Sequence, residues 1–103
     1  MTPTERREFI YESFTEDNQW DKLAEELKEL FDAVQVAVDH KNERGFSRED
    51  VLEIITEFAD CRNLMQQITE NNPKLAAAIS IEQDRKELRT IERIESGYYE
   101  EAI

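Results

Sequence analysis

Five acidic residues at helical spacing are the part of this sequence that could do chemistry. Glu25, Glu26 and Glu29 lie close together, and Glu57 and Asp60 repeat the pattern later in the chain. Residues three or four apart share one face of a helix, so Glu26 pairs with Glu29 and Glu57 pairs with Asp60. Two such pairs on facing helices would offer four carboxylates to a divalent cation. Glu25 is expected to point furthest outward.

Helices must position these carboxylates, because apolar residues recur at intervals of three and four along most of the chain. No segment shows the alternation of a strand. The expected helices and the tail lie within residues 1–15, 17–41, 47–70, 73–95 and 98–103.

Residues that favour helix ends support these boundaries. Thr2 and Ser47 are predicted N-caps, each followed three residues later by an acidic residue that completes a capping box. Asn72 is a third predicted N-cap, and Gly45 is the expected left-handed residue after the second helix. His40, near the end of that helix, is interpreted as stabilising its carboxyl end rather than as a catalytic base.

The apolar stripe of each long helix is predicted to be its buried face. In the second helix this stripe comprises Trp20, Leu23, Leu27, Leu30, Phe31, Val34 and Val38. In the third helix it comprises Val51, Ile54, Ile55, Phe58, Met65 and Ile68. The predicted fold is therefore all-α, a compact bundle of about four helices forming a single domain over residues 1–103.

Composition excludes several classes of function. The chain has 103 residues, of which 25 are acidic and 13 basic, and its net charge of −12 argues against nucleic-acid binding. Its single cysteine, Cys61, cannot form an internal disulfide and is expected to pack as a small apolar residue. No apolar run is long enough for a membrane span or a signal peptide. We therefore expect a soluble, cytoplasmic protein.

The acidic residues together resemble a known signature. Glu25-Glu26-x-x-Glu29, a spacer of 27 residues and Glu57-x-x-Asp60 are similar to the EExxE and ExxD motifs of the MazG-like, all-α nucleoside triphosphate pyrophosphohydrolases. The resemblance implies Mg²⁺-dependent hydrolysis between the α- and β-phosphates, with Mn²⁺ as a substitute ion. It assigns the metal to Glu26, Glu29, Glu57 and Asp60. It leaves Glu25 to a second metal, to water orientation or to no role.

Features elsewhere extend the resemblance over roughly residues 15 to 97. Gln19 precedes the paired glutamates, and Lys86-x-x-Arg89-x-x-x-Arg93 is similar to the basic C-terminal helix of small members of this family. These three basic residues are candidate ligands of the β- and γ-phosphates, or solubilising partners of nearby acids.

Two further residues are candidates for the nucleoside. Trp20 is either part of the core or stacks on the base, and Asn63 could hydrogen-bond the sugar or base.

Two interpretations from other classes remain. The chain could be a non-enzymatic acidic interaction protein, such as a DNA mimic or a partner-binding module, or a family relative without activity. An enzyme needs each of the four acids, whereas a mimic tolerates the loss of any one. A chain with so few helices is also expected to complete its core and its site as a homodimer or homotetramer, as the resemblance implies.

Overall fold

A computed structural model describes residues 1–14 and 16–100, except for the side chain of Glu16. Four helices form in order: α1 (Pro3–Ser13), α2 (Glu16–Glu43), α3 (Arg48–Glu70) and α4 (Pro73–Glu95). No strand occurs in these described ranges. The prediction of an all-α chain with about four helices is confirmed, and the helix boundaries lie close to the expected ones.

The chain divides into two compact units, Met1–Asn71 and Asn72–Ile103. The first contains α1, α2 and α3, and the second contains α4. The prediction of one domain over residues 1–103 stays a prediction. Residues 98–100 of the expected tail form a turn, while residue 15 and residues 101–103 lie outside the described part of the chain.

Capping boxes begin α1 and α3, as predicted. The Thr2 hydroxyl accepts the Glu5 amide at 3.1 Å, and the Glu5 carboxylate accepts the Thr2 amide at 3.0 Å. Ser47 and Asp50 make the same reciprocal pair at 3.1 and 2.9 Å. Gly45, at a φ of 89°, follows the end of α2 and donates its amide to a carbonyl in the last turn. Each cap satisfies backbone groups that a helix end leaves unpaired.

Helices α2 and α3 form an antiparallel pair, because only residues 44–47 connect them and their far ends line a common cavity. The positions of α2 that are buried or half-buried recur every three or four residues, and we call them its inward positions: Gln19, Leu23, Glu26, Leu30, Ala33, Ala37 and His40. On α3 the corresponding set is Asp50, Ile54, Glu57, Cys61, Leu64, Gln67 and Ile68, with Gln66 and Thr69 half-buried beside the last two.

Helix α1 packs against α3 in this unit. The Arg7 guanidinium contacts the Glu70 carboxylate through two bonds, of 2.7 and 2.6 Å. Ile10 and Phe14 face a cavity shared with α2 and α3. This places α1 as one wall of that cavity.

The predicted buried stripes were wrong for most of their residues. Phe31 and Ile55, for example, are 65% and 57% exposed, whereas Ala37 is fully buried and was not predicted to be. The physical reason is close packing of α2 against α3, which favours small residues such as Ala33 and Ala37 at the contact. Carboxylates and amides also take inward positions, so the larger apolar residues point away from the contact.

Most of the large exposed apolar residues of both helices lie on one side of the pair; Val36 and Leu52 are the exceptions. Each of the others follows an inward position by one residue, a rotation of about 100°. In an antiparallel pair this rotation turns both helices towards the same side. We call this surface the apolar face: Trp20, Leu27, Phe31, Val34 and Val38 of α2, with Val51, Ile55, Phe58 and Met65 of α3.

The second unit consists of α4 and the turn after it. Pro73 occupies the first turn of α4, but the predicted N-cap Asn72 makes no side-chain capping bond. None of the residues of α4, all of which are described, is buried. The Arg93 guanidinium lies over the Tyr98 ring, 4.9 Å from its centroid. Throughout the described ranges, no helix has the length and apolarity needed to cross a membrane.

Candidate functional site

Three of the predicted metal ligands converge where α2 faces α3. Glu26 comes from the middle of α2, and Glu57 and Asp60 come from successive turns of α3. One carboxylate oxygen from each lies within 4.8 Å of the others. The sequence spacing placed each pair on one helical face, and the antiparallel packing brings the two pairs together.

Glu29, the fourth predicted ligand, lies in direct contact with this group. Burial raises the pKa of both Glu26 and Glu57 above the ordinary glutamate value, and a hydrogen bond with Glu29 raises each pKa further. The charge of Asp60 acts in the same direction. We call these four residues the carboxylate cluster. Each pKa is raised first by burial, and the neighbouring carboxylates add to that effect.

Two oxygens of the carboxylate cluster have no donor within the described ranges. Glu26 Oε2 and Glu57 Oε2 are both buried, and neither accepts a hydrogen bond from a described residue. A nearby cation, Lys22 Nζ, lies 3.6 Å from Glu26 Oε1. A buried carboxylate oxygen without a donor is costly, and native proteins generally pair such atoms. These oxygens are therefore the feature of the cluster that calls for a cation.

Glu25, predicted to serve a second metal, to orient water or to have no role, is separate from the cluster. Its side chain is 68% exposed and lies 3.9 Å from Lys22 Nζ. It lines the cavity beside α1 rather than the contact between α2 and α3. The expectation that Glu25 points furthest outward agrees with this position, and its role in water orientation stays a prediction.

Two cavities flank Glu26 along the α2–α3 pair. The larger, of about 570 Å³, is lined by Ile10, Phe14, Asn18, Gln19, Asp21, Lys22, Glu25, Leu64 and Gln67. The smaller, of about 340 Å³, is lined by Glu29, Asp32, Ala33, Val36, Asp50, Glu53 and Glu57. Several of these residues directly precede inward positions, so both cavities open on the side of the pair opposite the apolar face.

The structure does not bring the two predicted nucleoside-binding residues, Trp20 and Asn63, together at either cavity. Trp20 is 45% exposed and belongs to the apolar face, so its predicted place in the core was wrong. Asn63 is exposed on α3, one turn beyond Asp60. Trp20 and Asn63 are both absent from the described residues that line the two cavities. Their contacts with a base or sugar stay predictions.

The predicted phosphate ligands belong to the second unit. Lys86 and Arg89 line a small recess of about 80 Å³ together with Arg85. Arg85 is paired with Glu82 at 2.7 Å, and Arg93 lies over Tyr98. Contact of Lys86, Arg89 and Arg93 with a triphosphate stays a prediction.

His40 and Cys61 have structural positions, as expected. His40 Nδ1 lies 2.8 Å from Asp50 Oδ1, which joins the last turn of α2 to the first turn of α3. Hydrogen bonds from Ser47 and His40 lower the pKa of Asp50. Cys61 is buried, and burial together with the nearby carboxylates raises the pKa of its thiol. A raised pKa makes this thiol a poor nucleophile.

Gln67 is the site residue that sequence reasoning missed. It lies seven residues after Asp60 and therefore on a similar face of α3. In the sequence, the spacing of the inward positions continues through polar residues, and this could have identified Gln67. A search for apolar stripes alone overlooks such residues. Comparison of the chain with protein-family models, curated proteins and solved structures finds no significant match.

Proposed function

We propose that the protein hydrolyses a nucleoside or deoxynucleoside triphosphate between its α- and β-phosphates. The products are a nucleoside monophosphate and pyrophosphate. The observation that carries this proposal is the carboxylate cluster, in which two buried oxygens have no hydrogen-bond donor in the part of the chain that the structure describes. Such an arrangement suits a divalent cation, and Mg²⁺ held by carboxylates commonly takes the phosphates of a substrate as further ligands.

The donor set favours Mg²⁺, with Mn²⁺ as a substitute. All four ligands are oxygens, whereas zinc sites generally contain histidine or cysteine. Glu26, Glu29, Glu57 and Asp60 would hold the ion. Bound there, it would neutralise phosphate charge and lower the pKa of an attacking water.

The protein's own side chains would divide the remaining work. Glu25 lines the larger cavity next to the cluster, where its exposed carboxylate can orient a water. Lys22, between Glu25 and Glu26, supplies the nearest positive charge. Lys86, Arg89 and Arg93 remain the proposed ligands of the leaving pyrophosphate, because guanidinium and ammonium groups bind phosphate strongly.

The working unit in this proposal is a homodimer or a dimer of dimers. Its support is the apolar face, which extends along both α2 and α3 and includes Phe31 and Phe58, more than half exposed. Contiguous apolar surfaces of this kind mark interaction sites. A second copy is the partner we propose, because two such helix pairs packed face to face make a four-helix bundle. Glu29 and Asp60 of the carboxylate cluster are exposed and directly precede inward positions, so they face the other side and stay accessible to substrate.

A direct test is incubation of the purified protein with Mg²⁺ and a panel of canonical and modified nucleoside triphosphates. Chromatography of the products separates monophosphate plus pyrophosphate from diphosphate plus phosphate, and only the first pair is expected. Mutating a residue that only supports a metal ligand costs about 10- to 100-fold, so Asp60→Asn, which removes a ligand, should reduce turnover by about 100-fold or more.

Glu49→Gln is the matched control, because Glu49 is an exposed acid in the first turn of the same helix. It should keep wild-type turnover. Absence of pyrophosphate with every nucleotide would contradict the enzymatic proposal. Wild-type activity in Asp60→Asn would remove the cluster as the site, because only a diffuse acidic surface, as in a DNA mimic, tolerates the loss of any one acid.

A further inference from the structure

We infer that Lys22 is an internal counter-ion of the carboxylate cluster, which holds Glu26 while no metal is bound and competes with a divalent cation for it. Glu25 is the second acceptor, which takes the Lys22 ammonium when a cation occupies Glu26. The inference rests on the proposed function only for the identity of the competitor as a divalent cation. Its structural basis is the two ion contacts that Lys22 makes one helical turn before the cluster.

The Lys22 ammonium lies between two carboxylates of its own helix. Its Nζ atom is 3.6 Å from Glu26 Oε1 and 3.9 Å from Glu25 Oε2. Both distances exceed the usual hydrogen-bond range of about 2.7–3.2 Å, and the Lys22 side chain is 58% exposed. Exposed ion pairs of this kind stabilise a fold only slightly. Lys22 is therefore held loosely enough for a divalent cation to displace it.

The charge of Lys22 acts on the α2 side of the cluster. It lowers the pKa of Glu26, against burial and the neighbouring carboxylates, which raise it. The corresponding effects on the pKa of Glu57, which are burial and neighbouring carboxylates, all raise it. Lys22 thus compensates Glu26 in part and leaves the α3 side of the cluster to another positive charge.

A divalent cation and the Lys22 ammonium would claim the same carboxylate. Glu26 has one oxygen, Oε1, beside Lys22, and its other oxygen, Oε2, is buried without a hydrogen-bond partner among the described residues. A carboxylate that ligates a metal ion attracts an ammonium less, and two positive charges at one carboxylate repel each other. Metal binding therefore includes the cost of releasing Lys22 from Glu26.

Glu25 provides the released ammonium with another partner. Its carboxylate is 68% exposed and already lies near Lys22 Nζ. Glu25 and Lys22 both line the larger cavity, so an ammonium held by Glu25 stays on that side of the cluster. This gives Glu25 a role that requires contact with neither metal nor substrate, because it draws Lys22 away from Glu26.

The first test measures binding of Mg²⁺ alone, by calorimetry, to wild type, Lys22→Met and Lys28→Met. Lys28→Met is the matched control, because it removes the same charge from an exposed position of α2, about 200° around the helix from Glu26. Lys22→Met should bind Mg²⁺ roughly threefold to tenfold more tightly than Lys28→Met, since it removes a competing charge at short range. Lys22→Arg, which keeps the charge, should bind Mg²⁺ as wild type does. Equal affinities in the two methionine variants would overturn the inference.

A double-mutant cycle tests the role of Glu25. Glu25→Gln should weaken Mg²⁺ binding more than Glu49→Gln, which removes the same charge from an exposed position of α3. In the Lys22→Met background this difference should disappear, because no ammonium remains to be drawn from Glu26. A difference that persists without Lys22 would show that Glu25 does not act through Lys22.

Binding of Mg²⁺ alone also separates this inference from the proposed function. Tighter binding by Lys22→Met, with no pyrophosphate released from any nucleotide, supports the counter-ion and removes the hydrolase. Metal-dependent hydrolysis together with equal Mg²⁺ affinities in Lys22→Met and Lys28→Met does the reverse. Absence of Mg²⁺ binding to wild type and to Lys22→Met at millimolar concentrations overturns the inference, whatever the turnover.

Discussion

Replacement of Phe31 by glutamate is the sharpest test of the proposed homodimer. Phe31 lies at the middle of the apolar face and is 65% exposed. With a side-chain surface of roughly 200 Å², it leaves about 130 Å² of apolar area in contact with water. At about 25 cal/mol per Å², covering this area contributes about 3 kcal/mol per chain.

A symmetric dimer would contain this contribution twice, or about 6 kcal/mol, since the same surface of each chain is used. That sum corresponds to a change of about 10⁴ in the dissociation constant. Association also carries ordering costs that area does not measure, so we expect weakening of at least about 100-fold. A glutamate in the interface would add the penalty of a buried, unpaired charge.

Light scattering at micromolar concentration measures the result. Wild type should have at least twice the mass of one 12.2 kDa chain, and Phe31→Glu should have the mass of one. Phe9→Glu is the matched control, because Phe9 is 60% exposed but lies on α1, away from the apolar face. Circular dichroism checks that helix content is retained. A single-chain mass for wild type, or an unchanged mass for Phe31→Glu, would refute the reasoning.

Three further predictions concern the carboxylates and the basic residues. Each tenfold rise in Mg²⁺ concentration above the dissociation constant should raise the melting temperature of wild type by roughly 5 to 10 °C, because the bound ion stabilises the folded state by mass action. Glu57→Gln should abolish this rise, and the control Glu49→Gln should keep it. Without metal, wild type should become more stable as the pH falls. The raised pKa values of Glu26 and Glu57 mean that the folded state binds protons more tightly, so this stabilisation is complete below about pH 4.5, the ordinary glutamate pKa, and is lost as the pH rises through the raised values. Thermal melts from pH 7.5 to 4.5 should show a smaller gain for Glu57→Gln, and an identical gain would remove the cluster as its cause. Finally, Arg89→Ala should lower triphosphate turnover about tenfold or more through loss of a charge-assisted contact, whereas Arg85→Ala, which breaks a surface pair with Glu82, should change it little; equal rates for all three proteins would return Arg89 to a solubilising role.

The helix ends and the carboxylate cluster were accessible from sequence because they depend on local rules. Thr2 and Ser47 cap their helices through residues three positions away, and such contacts need no knowledge of the rest of the fold. The acidic pairs follow the same logic, since residues three apart share a helical face. Their meeting across α2 and α3 required only that the two helices pack antiparallel.

The direction in which each helix faces was not accessible in the same way. Phe31 and Ala37 are both apolar, but only Ala37 is buried against α3. Periodicity identifies an apolar stripe without saying whether it packs within the chain or against another molecule. Gln67 was missed for a related reason: a polar residue at an inward position is visible only when the opposite helix is in place.

The ion pair between Arg7 and Glu70 has a consequence for access to the larger cavity. None of the residues of α1, all of which are described, is buried. This helix therefore relies on a partly exposed charge contact and on a few apolar side chains to stay against α3. Salt screens such contacts. Raising the ionic strength should therefore speed up amide hydrogen exchange in α1 more than in the middle of α3. The wall that carries Ile10 and Phe14 is then the part of the molecule that yields first, and ligand entry should speed up with added salt while ligand retention declines.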